Sequence, residues 1–381
     1  MEKRDPYKHK KRYQNWLKEN INGIKGISLT NSSLILAYVS DMQEGLNIST
    51  KSKKGPRSPI RLNNIIQRMV FLAKKFEKVY GLKDISRINE EILHNYFNSL
   101  RNGEIKRMDG GVYKDPANFV KIFKAFWHWW MKINRKRGSE IIDITIDLDT
   151  RVEKPRWVYM TEEQIQKLCE RAKFDYKVLI TFLYDSGIRA PTELMNIKVF
   201  DFNNDFQELN IRDEISKTFG RRIKLMFSSD LIKQYIEQKG FLEDDFLFSL
   251  SPSTINSNLQ KLAKQVLGNE KSLAGQKYSE LTMYDFRHCS CCYWLPKYKS
   301  EVGLKYRFGW KKSERIHYYS EMLGMQDTIK EEDLFQDPSE MLFKRKINKI
   351  YTDNKLQESR LDFLEEKIQE LNKNLKTATP G

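Results

Sequence analysis

The sequence predicts an α+β protein that is mostly helical: an all-α N-terminal bundle, a mixed α/β unit with a small antiparallel sheet, and a C-terminal helix. Three observations predict it. Helical periodicity runs through residues 26–134 with no β-like alternation to interrupt it. The pattern fails over 135–158, which contains Gly138 and Pro155, and Thr161-Glu-Glu-Gln164 then reads as a capping box opening a new helix. Beyond it, three strand-like runs near 198–202, 207–212 and 221–226 sit between helical blocks.

Taken in order, residues 1–25 are basic and expected to be a flexible terminus. Helices are expected over Ser32–Gly45, Leu62–Tyr80, Asn89–Arg101 and Asn118–Asn134, with the loop KSKKGPRSPIR (51–61) breaking the first from the second. In FVKIFKAFWHWWMKI, the residues Phe119, Ile122, Phe123, Phe126, Trp127 and Trp130 recur at helical spacing. That spacing predicts a core-facing helix rather than a platform for stacking bases, with His128 structural. After the 135–158 linker, helices are expected at 161–173 and 175–186, then the strands, then helices at 229–239, 253–267, 282–297, 300–308 and 313–323. The unit so formed spans 159–330. In the tail, 331–381, Ile347, Ile350, Leu361, Leu364, Ile368, Leu371 and Leu375 fall at heptad spacing. This suits a coiled coil, or equally one amphipathic helix folded back on its own unit.

Charge is unevenly placed. The chain of 381 residues carries +16. Residues 1–156 hold 32 Lys/Arg against 17 Asp/Glu, a net +15, while 157–330 carry +3 and 331–381 carry −2. Such a distribution suits a module that grips a polyanion by neutralising phosphates. A solvated basic surface or an anionic membrane contact would look similar. Nucleic acid is favoured because the cations are scattered among aromatic helices. No apolar run approaches the ~20 residues a membrane span needs. MEKRDPYKHKKRYQNW lacks the apolar core of a signal peptide, so a cytoplasmic location is expected.

Cys169, Cys289, Cys291 and Cys292 lack the paired spacing of a zinc site and are expected as small packing residues in a reducing compartment. No Gly-rich phosphate loop is present, and no cofactor or metal is expected.

Four residues far apart supply what a metal-free attack on a phosphodiester requires: Arg189 in SGIRAPTEL, Lys217 in ISKTFGRRIKL, Arg287 in LTMYDFRHCSCCYWL and Tyr319 in FGWKKSERIHYYSEM. A phenol is a competent nucleophile, and a phosphotyrosine keeps the bond energy for religation. Guanidinium forks match phosphate oxygens bidentately, and a lysine can protonate the departing oxygen. Singly, each motif has a plainer reading. Arg189 and Glu193 read as a surface pair, Lys217 as a solvated hairpin lysine, and the adjacent Tyr318 and Tyr319 are both open as nucleophiles.

Together, the order Arg, Lys, Tyr/His-x-x-Arg, Trp/His, Tyr resembles the tyrosine recombinase (phage integrase) family over about residues 160–325. That family has Gly-x-Arg-x-x-Glu-Leu where this chain has one more residue before Glu193, so the resemblance secures Arg189 and leaves Glu193 unassigned. It implies that Lys217, in a Lys-Thr-x-x-x-Arg hairpin, is the general acid. Arg287 and His288 keep their places in the His-x-x-Arg-His box, and Tyr284 stands for the first His, as in an archaeal-type integrase. Trp310 replaces the histidine of Leu-Gly-His. An indole only donates, which shifts acid–base duty toward Lys217. The resemblance also selects Tyr319, nine residues past Trp310.

It implies a site-specific DNA recombinase that cleaves and rejoins double-stranded DNA at specific sites through a 3′-phosphotyrosyl intermediate. It further implies a core-binding domain in 26–134, no cofactor, and a homotetramer on DNA. The rivals are a type IB topoisomerase-like nicking-closing enzyme and a non-catalytic DNA-binding protein on the same fold.

Overall fold

The computed structural model describes residues 3–49, 52–113, 115–152, 154–298 and 300–323, with the single residues Ile347, Ile350 and Asn354. The chain builds two hydrophobic clusters, one from residues 13–148 and one from 157–319. The first is all helix: α1 (His9–Asn20), α2 (Leu29–Glu44), α3 (Pro59–Tyr80), α4 (Glu90–Arg101) and α5 (Pro116–Lys136). Local chemistry sets the ends. Ser28, Ser58, Asn89 and Asp115 each accept a backbone N–H as N-caps, and Pro opens α3 and α5 where its missing N–H costs nothing.

The reading of 1–25 as a flexible terminus is corrected. Residues 9–20 form α1, which packs on α3. Tyr13 is buried and its hydroxyl meets Gln43 Oε1 at 2.5 Å, while Asn63 Nδ2 donates to the His9 carbonyl. Tertiary burial orders a segment whose charge alone argued against order.

Helix α5 buries Phe119, Ile122, Phe123, Phe126 and Trp127 as expected, but Trp130 stays partly exposed and Trp129 takes the inner position. Its indole Nε1 donates to Asp41 on α2 at 2.7 Å, a partner that periodicity does not reveal. His128 Nε2 bonds Asp143, holding the segment after α5 in place. That segment packs Ile141, Ile144 and Leu148 on the first cluster, while Trp157 and Val158 enter the second.

The second cluster starts at α6 (Glu162–Arg171), whose Thr161/Gln164 capping box is formed. Then come α7 (Phe174–Ser186), three strands, α8 (Ser229–Lys239), α9 (Pro252–Leu267), α10 (Met283–Trp294), α11 (Glu301–Phe308) and α12 (Glu314–Met322). The strands β1 (Phe202–Asn203), β2 (Glu208–Ile211) and β3 (Arg221–Lys224) pair antiparallel in that order, with Leu209 opposite Ile223 and Ile211 opposite Arg221. The first strand is shorter than expected. Asp201 accepts from Lys198 N and Arg212 Nε, which winds Val199–Asp201 into a 3₁₀ turn and leaves only two residues to pair.

Cys289, Cys291 and Cys292 are buried in the second cluster. Among the described residues, no group of three or more His, Cys, Asp or Glu is placed to hold a metal. No described helix is long and apolar enough to cross a membrane. The heptad reading of the tail lies outside the described residues, apart from Ile347, Ile350 and Asn354, which are helical and exposed.

Candidate active site

Two glycines shape the centre. Gly187 ends α7 at φ 59, and a Cβ there would stand 2.3 Å from Phe308 Cε1 and 2.8 Å from Ser290 Oγ. Gly309 ends α11 at φ 60, where a Cβ would crowd Arg221, Thr218 and Arg189 at 3.0–3.2 Å. Only glycine supplies both the left-handed turn and the close approach. The carbonyls beside these turns become the seats of the two arginines.

Arg189 follows the first turn. Its Nη2 donates to the Gly309 carbonyl at 2.7 Å and its Nη1 to Glu193 Oε1 at 2.8 Å. Arg287, on the inner face of α10 and 3% exposed, donates from Nη1 to the Gly187 carbonyl and from Nη2 to the Phe308 carbonyl, each at 2.5 Å. The two guanidiniums are thus fixed by neighbouring carbonyls of one short segment, 308–309.

Lys217 lies exposed in the 212–220 loop between β2 and β3. The next residue ties that loop to the same spot, for Thr218 Oγ1 donates to the Gly309 carbonyl at 2.9 Å. Trp310, half-buried, stacks between Phe308 (4.9 Å, 22°) and Tyr319 (5.9 Å, 12°). Arg189, Arg287, Trp310 and Tyr319 are therefore brought together, with the Lys217 loop anchored to them. Tyr284 stands apart: it is 47% exposed at the start of α10, its ring edge-on to His288.

Tyr319 is 4% exposed, and its hydroxyl bonds His288 Nδ1 at 2.5 Å. His288 also stacks on Trp157. Burial pushes the Tyr319 phenol far above its ordinary pKa, and Cys291 below it adds to the rise. Burial, with the nearby charges of Arg287 and Arg315, lowers His288 to about 3, so it is neutral at pH 7. Tyr318 is occupied elsewhere: its hydroxyl accepts from Trp157 Nε1 at 2.8 Å and donates to the Pro155 carbonyl at 3.1 Å. Neither phenol is free as placed. Any reaction at the Tyr319 hydroxyl would first have to break its bond to His288 Nδ1.

Sequence reasoning undervalued the groups behind the arginines. Glu193, left unassigned for its spacing, is fully buried and binds both Arg189 and Arg221. Burial opposes its ionisation, but the hydrogen bond and charge of Arg221, then Arg189, outweigh it and hold the carboxyl down to about 2. Arg221 reaches the carboxylate because β3 alternates faces. Arg221 and Ile223 point inward while Arg222 and Lys224 point out. Its Nε donates to the Arg307 carbonyl, linking the sheet to α11. The period-two pattern of β3 was the signal that could have found it, whereas the Lys-Thr-x-x-x-Arg spacing falls on the outward Arg222.

No family model matches the chain, and no curated protein matches it in sequence. Solved structures do. The XerH site-specific recombinase bound to palindromic difH substrate is 14% identical, with 83% of this chain and 89% of that one covered at a TM-score of 0.55. A lambda integrase dimer bound to a COC′ core site is 15% identical over 85% of each chain, TM-score 0.56. The Tn1549 transposon integrase with transposon right end DNA is 12% identical over 77% of this chain and 94% of that one, TM-score 0.53. The protein therefore has the fold seen in tyrosine recombinases, mostly helical with a three-stranded antiparallel sheet. At such identity the likeness speaks for the fold.

Proposed function

We propose that this chain is a tyrosine-type site-specific DNA recombinase, of the archaeal-type integrase group. The observation that carries the reading is the convergence of Arg189 and Arg287 on carbonyls 308 and 309, with Trp310 and Tyr319 stacked beside them. Two forked cations fixed by backbone suit the non-bridging oxygens of a phosphodiester better than a surface ion pair would. In this reading the duplex lies against both clusters, the basic first cluster (26–134) serving as core-binding domain and 159–330 as catalytic domain. Tyr319 gives up its phenolic proton to solvent as it attacks the scissile phosphorus, the P–O5′ bond breaks, and Lys217 gives its proton to the departing 5′ oxygen. A 3′-phosphotyrosyl link and a free 5′ hydroxyl result. The 5′ hydroxyl of a partner strand then attacks that link and restores the phenol. Trp310 holds a non-bridging oxygen as a donor. Energy is conserved in the ester, so the chemistry calls for no nucleotide, and four protomers on two duplexes complete the exchange.

The test begins with a randomised duplex pool, from which sequences linked covalently to the protein are recovered. Two plasmids carrying the recovered sequence are then incubated with the chain. Recombinant product supports the reading. Relaxation of any supercoiled plasmid without recombinants would identify a nicking-closing enzyme, and absence of any covalent link would leave a DNA-binding protein that does not cleave.

A further inference from the structure

The extreme N-terminal residues reach across to the second cluster. The Arg4 backbone N–H donates to Asn196 Oδ1 at 2.7 Å, and Asn196 Nδ2 donates back to the Arg4 carbonyl at 3.1 Å. Lys3 Nζ reaches the Ile215 carbonyl at 3.2 Å, and the Arg4 guanidinium lies 3.4 Å from the centre of the Phe246 ring. Asn196 is 1% exposed, and Arg4 N is the donor seated on its Oδ1. Withdrawal of the tail would leave that buried oxygen unpaired, a costly state unless water replaced it. The contact is read through the backbone, like one rung of a sheet. It depends on the path of the tail more than on its side chains.

What lies next to this socket gives it meaning. Asn196 follows Glu193 by less than one helical turn, and Ile215 precedes Lys217 by two residues. The tail so docks at the Lys217 edge of the candidate site. The covalent crossover docks at the other edge. Pro155 and Trp157 bond Tyr318, and Val158 N donates to Asp285 at the head of α10. On the first cluster, α1 begins four residues after Asp5, whose carboxylate accepts from Lys10 N at 3.0 Å, and Arg101 on α4 bonds the Asp149 and Arg151 carbonyls of the crossover. Among the hydrogen bonds of the described residues, the clusters are therefore joined at two places, one along the covalent crossover and one at the tail.

We propose that residues 3–5 are a releasable clasp, whose docking on Asn196, Ile215 and Phe246 closes the two clusters into a ring around the duplex. That the occupant is duplex DNA rests on the function proposed above; the clasp itself rests on the contacts alone. A closed ring admits a duplex only end-on, so loading on DNA without ends requires the clasp to open. Once reseated, it holds the protein on the DNA topologically, beyond what phosphate contacts provide.

The experiment uses the full chain carrying Arg4→Cys and Phe246→Cys, bridged by a reducible bis-maleimide. The Arg4→Cys change keeps the backbone N–H that Asn196 reads. In the absence of DNA, bridging is expected to be efficient and to fall at least several-fold when Asn196→Ala is added. Equal yields with and without Asn196→Ala would overturn the clasp whatever the protein's function. The bridged protein is then offered a short open-ended duplex and the same duplex closed by hairpins at both ends. At low salt, where binding is sequence-independent, it is expected to bind the closed duplex roughly tenfold more weakly than the open one. Reduction of the bridge should remove the difference. Equal binding of both duplexes by the bridged form would overturn the ring. If the unbridged protein binds neither duplex while bridging still depends on Asn196, the functional reading fails and the clasp stands.

Discussion

The Glu193 carboxylate and the Arg221 guanidinium form a two-pronged ion pair, 2.9 Å and 3.2 Å, from which water is wholly excluded. Arg189 shares the same carboxylate. One anion thus fixes two cations, one of which faces the candidate site. Replacing it by a neutral group leaves buried guanidiniums without compensation, which costs about 3–5 kcal/mol when one partner of a buried pair is removed. Glu193→Gln is expected to lower thermal stability by that order, measured by calorimetry, and to weaken any covalent DNA linkage through Arg189. A Glu193→Gln chain as stable as the wild type would show that the arginines are held by their carbonyls alone.

The same carboxyl predicts a pH dependence. Its folded value, about 2, lies below its ordinary 4.5, so the folded state binds the proton less readily than the unfolded chain. Its stabilisation is fully present above about pH 4.5 and is lost as pH falls toward about 2. The stability difference between wild type and Glu193→Gln should narrow over that window by roughly 3 kcal/mol, since each tenfold difference in proton affinity is worth ~1.4 kcal/mol. A difference that stays constant down to pH 2 would contradict the buried pair.

The His288 pKa is lowered as well, which in a base disfavours the charged form. Burial and the cations of Arg287 and Arg315 lower it to about 3, so protonation is resisted by the folded state. Its neutral form is favoured in the fold, and stability is lost as pH falls from about 6.5 toward 3. Nitrogen-detected NMR should show a neutral His288 ring at pH 5. A ring that titrates near 6.5 would mean that Tyr319 does not bury it.

Release of Tyr319 has a built-in reporter. Cys291 is 1% exposed and burial raises its thiol to about 12, with Tyr319 packed against it. Such a thiol is inert until uncovered. Trp310→Ala removes the ring between Phe308 and Tyr319 and should cost about 2–3 kcal/mol, less than a fully buried tryptophan. Labelling of Cys291 by a thiol reagent, located by mass spectrometry, is expected to accelerate in Trp310→Ala. Unchanged labelling alongside an unchanged melting temperature would mean that the stack does not hold α12.

Much of this was legible from residue order, and the exceptions share one physical cause. Arg189, Arg287, Trp310 and Tyr319 were named through a resemblance to the motifs of a known family, and the small antiparallel sheet from three short strand-like runs. Helix ends at Ser58-Pro59 and Thr161–Gln164 follow from local capping chemistry. What escaped were contacts between groups distant in sequence. Tyr13 orders α1 by meeting Gln43, and Trp129 displaces Trp130 from the core because Asp41 waits opposite it. Glu193 was set aside for one extra residue, yet the turn from Arg189 to Glu193 closes with Glu193 N bonded to the Arg189 carbonyl, and the carboxylate still reaches its arginine. The burial of Tyr319 under His288 could not be read either, since no spacing rule distinguishes a poised phenol from a sheathed one.

The central claim is that this centre forms a covalent bond to DNA through Tyr319. A nicked duplex whose short 5′-hydroxyl fragment diffuses away traps the intermediate, and the adduct is read as a shift on a denaturing gel. Wild type and Tyr318→Phe should form it, whereas Tyr319→Phe should not, and Arg189→Lys or Arg287→Lys should slow it by about 100-fold or more. An adduct that persists in Tyr319→Phe would contradict the account.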